Sequence, residues 1–290
     1  MGKYVVGLGE ALWDKLPSGK KLGGAPANFA YHARQFGLDG IAVSALGDDA
    51  LGRELADQLK AHDLPFLMET VDYPTGTVEV TVDAAGVPQY EIKTGVAWDY
   101  IPFTEKMAAI AADCQAVCFG SLAQRSEVSR DTIRRFLDAV PADCLKVFDI
   151  NLRQQFYTKE ILEESFRCCD ILKINDEEMV TVAHKFAIPC FGTEAQCGWL
   201  MREFGIRMII LTLGANGSGI YYDGGISYLK SPDVKVVDTV GAGDSFTGAF
   251  IGSLLNGKSV PQAHETAVAV STYICTCEGA MNPVPNNLKE

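Results

Sequence analysis

The stretch Asp238-Thr239-Val240-Gly241-Ala242-Gly243-Asp244-Ser245-Phe246-Thr247-Gly248-Ala249-Phe250 reads as a glycine turn that opens a helix. From Asp244 onward, Phe246, Ala249 and Phe250 fall on one face of a helical repeat. Gly241-Ala242-Gly243 therefore sits at a helix N-terminus. Backbone N–H groups there have no intrahelical acceptor, and the helix dipole adds partial positive charge. That end of a helix favours a phosphate or an oxyanion. Asp244 lies in the first turn beside it. It either caps the helix or takes a proton from an attacking hydroxyl while the amides hold developing charge, and chemistry alone leaves both open.

Working outward, short apolar runs alternate with helix-period segments. Tyr4–Leu8, Ile41–Leu46, Ala116–Phe119, Leu145–Asp149, Ile171–Ile174, Met208–Leu213 and Gly219–Tyr222 read as strands. Most look buried on both faces, which suits a parallel sheet. Helices are expected near 25–36, 50–61, 104–113, 127–139, 160–169, 176–185, 193–204, 243–256 and 260–277. The alternation predicts an α/β fold, a three-layer α/β/α sandwich around a mostly parallel sheet. The stretch 65–100 breaks the rhythm, with Thr77-Val78-Glu79-Val80-Thr81-Val82-Asp83 and Gln89-Tyr90-Glu91-Ile92 alternating between turn residues. That pattern predicts antiparallel hairpins. They form either a small β lid, with Val78, Val80 and Val82 on one apolar face, or an edge hairpin of the main sheet.

All of this fits a single domain over residues 1–290. A net charge of −12 argues against nucleic acid or an anionic membrane as the main partner. No apolar run approaches the roughly 18–20 residues that span a bilayer, and the chain enters a strand pattern at once, so no signal peptide is expected. Nine cysteines without C-x-x-C spacing read as reduced thiols of a cytoplasmic protein. The four histidines lack ligand-like spacing and read as surface or satisfied core residues. Met107, Met179, Met201 and Met208 read as core.

Gly252-Ser253-Leu254-Leu255-Asn256-Gly257-Lys258-Ser259 matches the P-loop formula letter for letter. The formula needs a strand before it and a helix starting at its lysine. Here a helix precedes it, so Asn256-Gly257 reads as a helix end and Ser259 as the cap of the next helix, with Pro261 in its first turn. Gly7 and Gly9 begin a dinucleotide fingerprint that Leu12 breaks. A nicotinamide-dependent dehydrogenase would need the complete fingerprint.

Gly23-Gly24-Ala25-Pro26-Ala27-Asn28 permits close backbone approach to a ligand, and the Asn28 amide suits sugar hydroxyls. Gly9-Glu10-Ala11-Leu12-Trp13-Asp14 follows the first strand, at the edge where open α/β sheets bind ligands. Asp14 there is either an acceptor for two neighbouring hydroxyls or a solvated acid.

The GGAPAN and DTVGAGDSFTGAF segments together resemble the ribokinase-like, PfkB-type carbohydrate kinases over essentially the whole chain. Gly47-Asp48-Asp49-Ala50-Leu51-Gly52, Asn175-Asp176-Glu177-Glu178 and Thr212-Leu213-Gly214-Ala215-Asn216-Gly217 are similar to that family's intermediate motifs. GEALWD, Phe119-Gly120-Ser121-Leu122 with Arg125, and Asp149-Ile150-Asn151-Leu152-Arg153 lean toward its fructokinase branch. The resemblance implies a ribokinase-like fold whose β lid comes from about 65–100 and the segment near 12–20. It implies ATP-dependent phosphorylation of a sugar's primary hydroxyl, most simply fructose, with ribose or 2-keto-3-deoxygluconate as alternatives.

Asp244 matches the family's base, and Gly241, Ala242 and Gly243 its anion hole. Arg153 is similar to a residue aimed at phosphate or an acidic substrate group. Asp14, Gly24, Asn28 and Trp98 fall on the sugar side, Trp98 stacking on the sugar or anchoring the lid. Asn175, Thr212, Gly214, Gly217 and Asn282 fall on the ATP side. Glu178 would order Mg²⁺ through water, and Asp238 resembles part of a monovalent-cation site, for K⁺. Sugar and ATP are then the partners, and homodimerisation through the lid is expected. A non-catalytic sensor on the same fold would have favoured loss of Asp244 or of the glycine turn, and both are present.

Overall fold

The computed structural model describes residues 2–16, 19–82 and 88–289, with backbone alone at 80–82 and 88–90. In chain order the elements are β1 (Tyr4–Leu8), β2 (Leu12–Leu16), β3 (Gly19–Gly23), α1 (Ala25–Arg34), β4 (Asp39–Gly47), α2 (Ala50–Ala61), β5 (Phe66–Val71), β6 (Gly76–Val82) and β7 (Pro88–Ile92). Next come α3 (Glu105–Ala112), β8 (Cys114–Gly120), α4 (Glu127–Ala139), β9 (Leu145–Asp149), α5 (Lys159–Cys168), β10 (Ile171–Asn175), α6 (Asp176–Lys185) and α7 (Thr193–Phe204). The chain ends through β11 (Met208–Thr212), β12 (Ser218–Tyr222), β13 (Gly225–Leu229), α8 (Ala242–Leu255) and α9 (Val260–Ile274).

The main sheet runs β13-β12-β11-β10-β9-β8-β1-β4-β5. It is parallel from β11 to β5, and β12 and β13 are antiparallel. Val147, Phe148, Leu172, Ile174 and Ile209 on its central strands are fully buried, as strands with helices on both faces must be. On one face α1, α8 and α9 supply Phe29, Phe246, Phe250 and Ala267. On the other, α3 to α7 supply Met107, Phe136, Phe166, Met179 and Phe204. The three expected layers are present.

The helices α1 and α8 meet through glycines. A Cβ on Gly248 would lie 2.7 Å from the His32 Cβ and 2.9 Å from the Phe29 carbonyl oxygen. One on Gly252 would press against the Phe36 ring at 2.9 Å.

A second sheet, β3-β2-β6-β7, stands apart from the main one. The expected hairpin is β6 and β7, paired antiparallel with Val80 opposite Tyr90. Val78 is buried; the side chains of Val80 and Val82 lie outside the described residues. Phe66–Val71, expected within the lid, is instead the edge strand of the main sheet, parallel to β4. The reason is that β4, α2 and β5 form an ordinary strand–helix–strand crossover. The lid is completed by β2 and β3, from the segment that precedes α1. Asp223-Gly224 closes a β12–β13 hairpin that the coarse strand pattern passed over.

The P-loop look-alike is a helix-to-helix connection. Asn256 caps the end of α8, Gly257 takes φ 83°, and Ser259 and Gln262 form the capping box that opens α9. Among the described residues no helix is long and apolar enough to cross a membrane.

Candidate active site

The ends of β1, β9 and β10 and the first turns of α1 and α8 converge at one sheet edge. The paired glycines serve close approach on the protein's own side. Gly24 takes φ 124°, and a Cβ there would lie 2.5 Å from the Glu10 carbonyl oxygen. A Cβ on Gly23 would lie 2.6 Å from Asp14 Oδ2. Pro26 sits in the first turn of α1, as its fixed φ favours. That start brings the Asn28 amide across to α8, where its Nδ2 donates to Asp244 Oδ2 at 2.8 Å. The Asn28 Oδ1 is buried and has no partner among the described residues.

Gly241 is the N-cap of α8, with φ 76° and Ala280 packed where a side chain would be. The Ala242 amide donates to Thr239 and that of Ser245 to Gly241. The amides of Gly243 and Asp244 find no acceptor among the described residues. Asp244 is not the helix cap, since the Gly241 side makes no side-chain cap bond and the Asp244 carboxylate goes to Asn28. Burial, and then the neighbouring Asp149, push its carboxyl up to about 6. A carboxylate raised that far takes a proton more readily than an ordinary aspartate does.

Beneath the turn, Lys173 Nζ donates to Asp149 Oδ1 at 3.0 Å, both side chains being nearly inaccessible. The following residues of the NxxE motif form a capping box. Asn175 Oδ1 accepts from the Glu178 amide at 2.8 Å, and Glu178 Oε2 accepts from the Asn175 amide at 2.9 Å. Glu178 Oε1 also accepts from Leu152 at 2.9 Å, which ties down the Asp149–Arg153 loop. Glu178 is therefore a buried acid committed to two backbone amides, with burial raising its pKa. Among the described residues no three His, Cys, Asp or Glu side chains cluster as metal ligands. A hydrated Mg²⁺ held by phosphate oxygens, with Glu178 as an outer-sphere anion, is the arrangement these residues fit.

The remaining candidates are placed as follows. Asp14 lies on β2, half-buried, with its carboxyl raised by burial against the opposing effect of Arg153. Arg153 is exposed and makes no ion pair among the described residues. Its charge nonetheless acts on Glu10, Asp14 and Asp244. Thr212, Gly214 and Gly217 form a tight turn after β11, with Gly214 at φ 55° and Gly217 at φ 115°. Asn282 folds back onto its own loop, donating to the Glu278 and Gly279 carbonyls.

Two further candidates, Trp98 and Asp238, have their partners within the chain. Trp98 is fully buried beneath Arg125, whose guanidinium stacks 3.9 Å from its ring and 4.5 Å from that of Phe156. It anchors the lid's base and presents no face to a sugar. Asp238 is already committed: Oδ1 accepts from Val240, and Oδ2 accepts from Gly279 and, at 3.1 Å, from Lys21 of β3.

Glu10 and Lys173 escaped the sequence reading. Glu10 ends the first strand's loop buried, with Oε2 unpartnered among the described residues and its carboxyl pushed by burial up to about 7. Each is a charge inside an apolar run, a signal that could have marked them. His32 and His264 are satisfied core residues, bonded to Ala280 and to Ser218 and Ser227.

The description "pfkB family carbohydrate kinase" matches residues 18–287. The chain is 27% identical over 304 residues to a fructokinase of Klebsiella pneumoniae, covering 98% of this chain and 96% of that one. It is 26% identical over 277 residues to an ATP-dependent 6-phosphofructokinase of Thermoanaerobacterium thermosaccharolyticum, covering 92% and 83%. Its fold superposes with TM-score 0.83 and 21% identity on a putative ribokinase II of Escherichia coli in complex with ATP and Mg²⁺, covering 100% and 98%.

Proposed function

The chain belongs to the pfkB family of carbohydrate kinases, and from that premise we propose that it transfers the γ-phosphate of ATP to the primary hydroxyl of fructose. The observation that carries the reading is Asp244, a half-buried carboxylate of raised pKa oriented by Asn28 beside two acceptor-free amides. Asp244 accepts the hydroxyl proton as the sugar oxygen bonds to the γ-phosphorus. The bond from that phosphorus to the bridging oxygen breaks, and its electron pair leaves on ADP. The amides of Gly243 and Asp244, with Gly241 and Ala242 shaping the turn, hold the charge on the transferred group. Asn28 Oδ1 and Asp14 are acceptors for sugar hydroxyls, with Gly24 letting the chain approach. Thr212, Gly214, Gly217, Asn175 and Asn282 border the nucleotide.

Mg²⁺, when bound, neutralises phosphate charge, with Glu178 as its outer-sphere anion. K⁺ at Asp238 would compete with the Lys21 ammonium. Strand edges at β3 and β7, unpaired among the described residues, support a homodimer through the lid. Nine free thiols suit a reducing compartment, the cytoplasm.

Arg153 favours a second substrate class. An exposed guanidinium with no ion pair among the described residues suits a phosphate or carboxylate on the sugar, as in fructose 6-phosphate or 2-keto-3-deoxygluconate. A coupled ADP-release assay across fructose, ribose, 2-keto-3-deoxygluconate, fructose 6-phosphate and adenosine decides. The highest kcat/KM is expected with fructose. A higher value with an anionic sugar moves the assignment to that class. No ADP release with any of them leaves a sensor.

A further inference from the structure

Lys173 stands in the apolar strand Ile171-Leu172-Lys173-Ile174 and is only 8% exposed. The register of β9 and β10 sets it opposite Asp149, to which it donates. A Cβ on Gly243 would lie 3.0 Å from Lys173 Nζ, so the ammonium rests against the first turn of α8. That is the unfavourable end of a helix for a cation, because the dipole there is already positive. Burying an ammonium costs several kcal/mol, and one carboxylate contact seldom offsets it. Two of its three N–H donors find no acceptor among the described residues. The two remaining donors of the lysine and the two acceptor-free amides of Gly243 and Asp244 therefore lie together at the first turn of α8, ready for the oxygens of one anion. The charges of Asp149, Glu178 and Asp244 favour the charged lysine, and among the described residues Asp149 alone bonds to it.

We propose that Lys173 is a catalytic residue that donates to a peripheral oxygen of the γ-phosphoryl group during its transfer. The inference rests on the kinase reading above. It assigns the free donors of Lys173 to the same oxygens that the Gly243 and Asp244 amides hold. It also gives a reason for glycine at position 243, where any side chain would meet the ammonium. Asp149 then holds the ammonium in place between turnovers.

The single variant Lys173→Met strands Asp149 as a buried, unpaired charge and can unfold the chain. The double variant Asp149→Asn/Lys173→Met removes both charges together. Wild type and double variant are titrated by calorimetry with ADP and with ADP–beryllium fluoride, each with Mg²⁺ and fructose, and their melting curves are compared. The expected result is a melting temperature close to wild type and ADP affinity within about threefold. Affinity for the beryllium fluoride complex should fall about 100-fold, with kcat falling at least as far. An unchanged ratio of the two affinities overturns the proposal, whether both stay as in wild type or both fall together. Failure of the wild type to bind either nucleotide overturns the kinase reading itself, and this proposal with it.

Discussion

On the floor of the site Asp149 and Lys173 pair at 3.0 Å with side chains 5% and 10% exposed. On the lid Lys15 and Glu79 pair at 2.9 Å with side chains 39% and 34% exposed. Near-equal distances conceal different physics. The floor's charges are shielded from water, so each depends on its neighbours, and carboxyls such as Asp244 and Glu10 titrate far from their ordinary values. The lid's pairs stay hydrated and screened, contributing little to holding it in one pose. Only its base resembles the floor. There Arg125 donates to both oxygens of Asp99 and is packed between Trp98 and Phe156. The molecule thus joins a dry electrostatic floor to a small sheet whose charge pairs are dry only at the Arg125–Asp99 end.

The sharpest way to break this contrast is Asp244→Asn. The amide keeps the size and cannot take the proton, so kcat should fall about 10²–10⁴-fold while ATP and fructose dissociation constants stay within a few-fold. In the wild type, kcat/KM should fall about tenfold per pH unit below about 6, because the base must be deprotonated to act. A variant holding a tenth of wild-type kcat would remove Asp244 from that role.

Arg125→Met should destabilise by about 3–5 kcal/mol, since it leaves Asp99 buried and unpaired. Lys15→Ala should cost less than about 1 kcal/mol in the same urea titrations. Similar values for the two would erase the distinction between the lid's base and its rim.

Glu10 tests the floor by pH. Its carboxyl is raised from 4.5 to about 7, so the folded state holds the proton more tightly than the unfolded chain does. The stability this provides is full below pH 4.5 and is lost as pH rises through about 7, an amount of about 3 kcal/mol. Glu10→Gln should flatten that fall and melt higher than wild type at pH 8. A wild-type unfolding free energy that holds steady from pH 5 to 8 would place Glu10 in contact with water. The smallest effect belongs to Lys258→Ala, under about 0.5 kcal/mol and with kcat/KM unchanged, because the loop joins two helices. A hundredfold loss there would relocate the nucleotide.

The glycine turn at 241–243 was legible because a turn that ends in a helix start constrains the backbone locally. The same holds for the Asn256-Gly257 cap that disarmed the P-loop match. Lys173 was not legible, since a lysine in a buried strand looks like a snorkelling side chain until Asp149 is placed beside it by register. Trp98 stayed open between two roles for a related reason: its covering partner, Arg125, is 27 positions away in the chain and invisible to any local pattern. The NxxE segment was legible as a motif, and the structure shows that it is also a capping box. Phe66–Val71 was drawn into the lid because turn residues flank it; which sheet a strand joins is decided by the crossover through α2.

The seam between α1 and α8 behaves like a press fit in machining, where a dimension is held by two bare surfaces. Asn28 rides on one helix and Asp244 on the other, and Gly248, one turn along, meets the Phe29 carbonyl with no side chain between. An engineer seeking a kinase for a new acceptor has latitude across β2, β3, β6 and β7. Across this seam there is none: even a methyl group at 248 would have to push the helices apart, carrying the amide away from the base it orients. A saturation library selected for turnover should return glycine at that position, as stringently as it returns aspartate at 244.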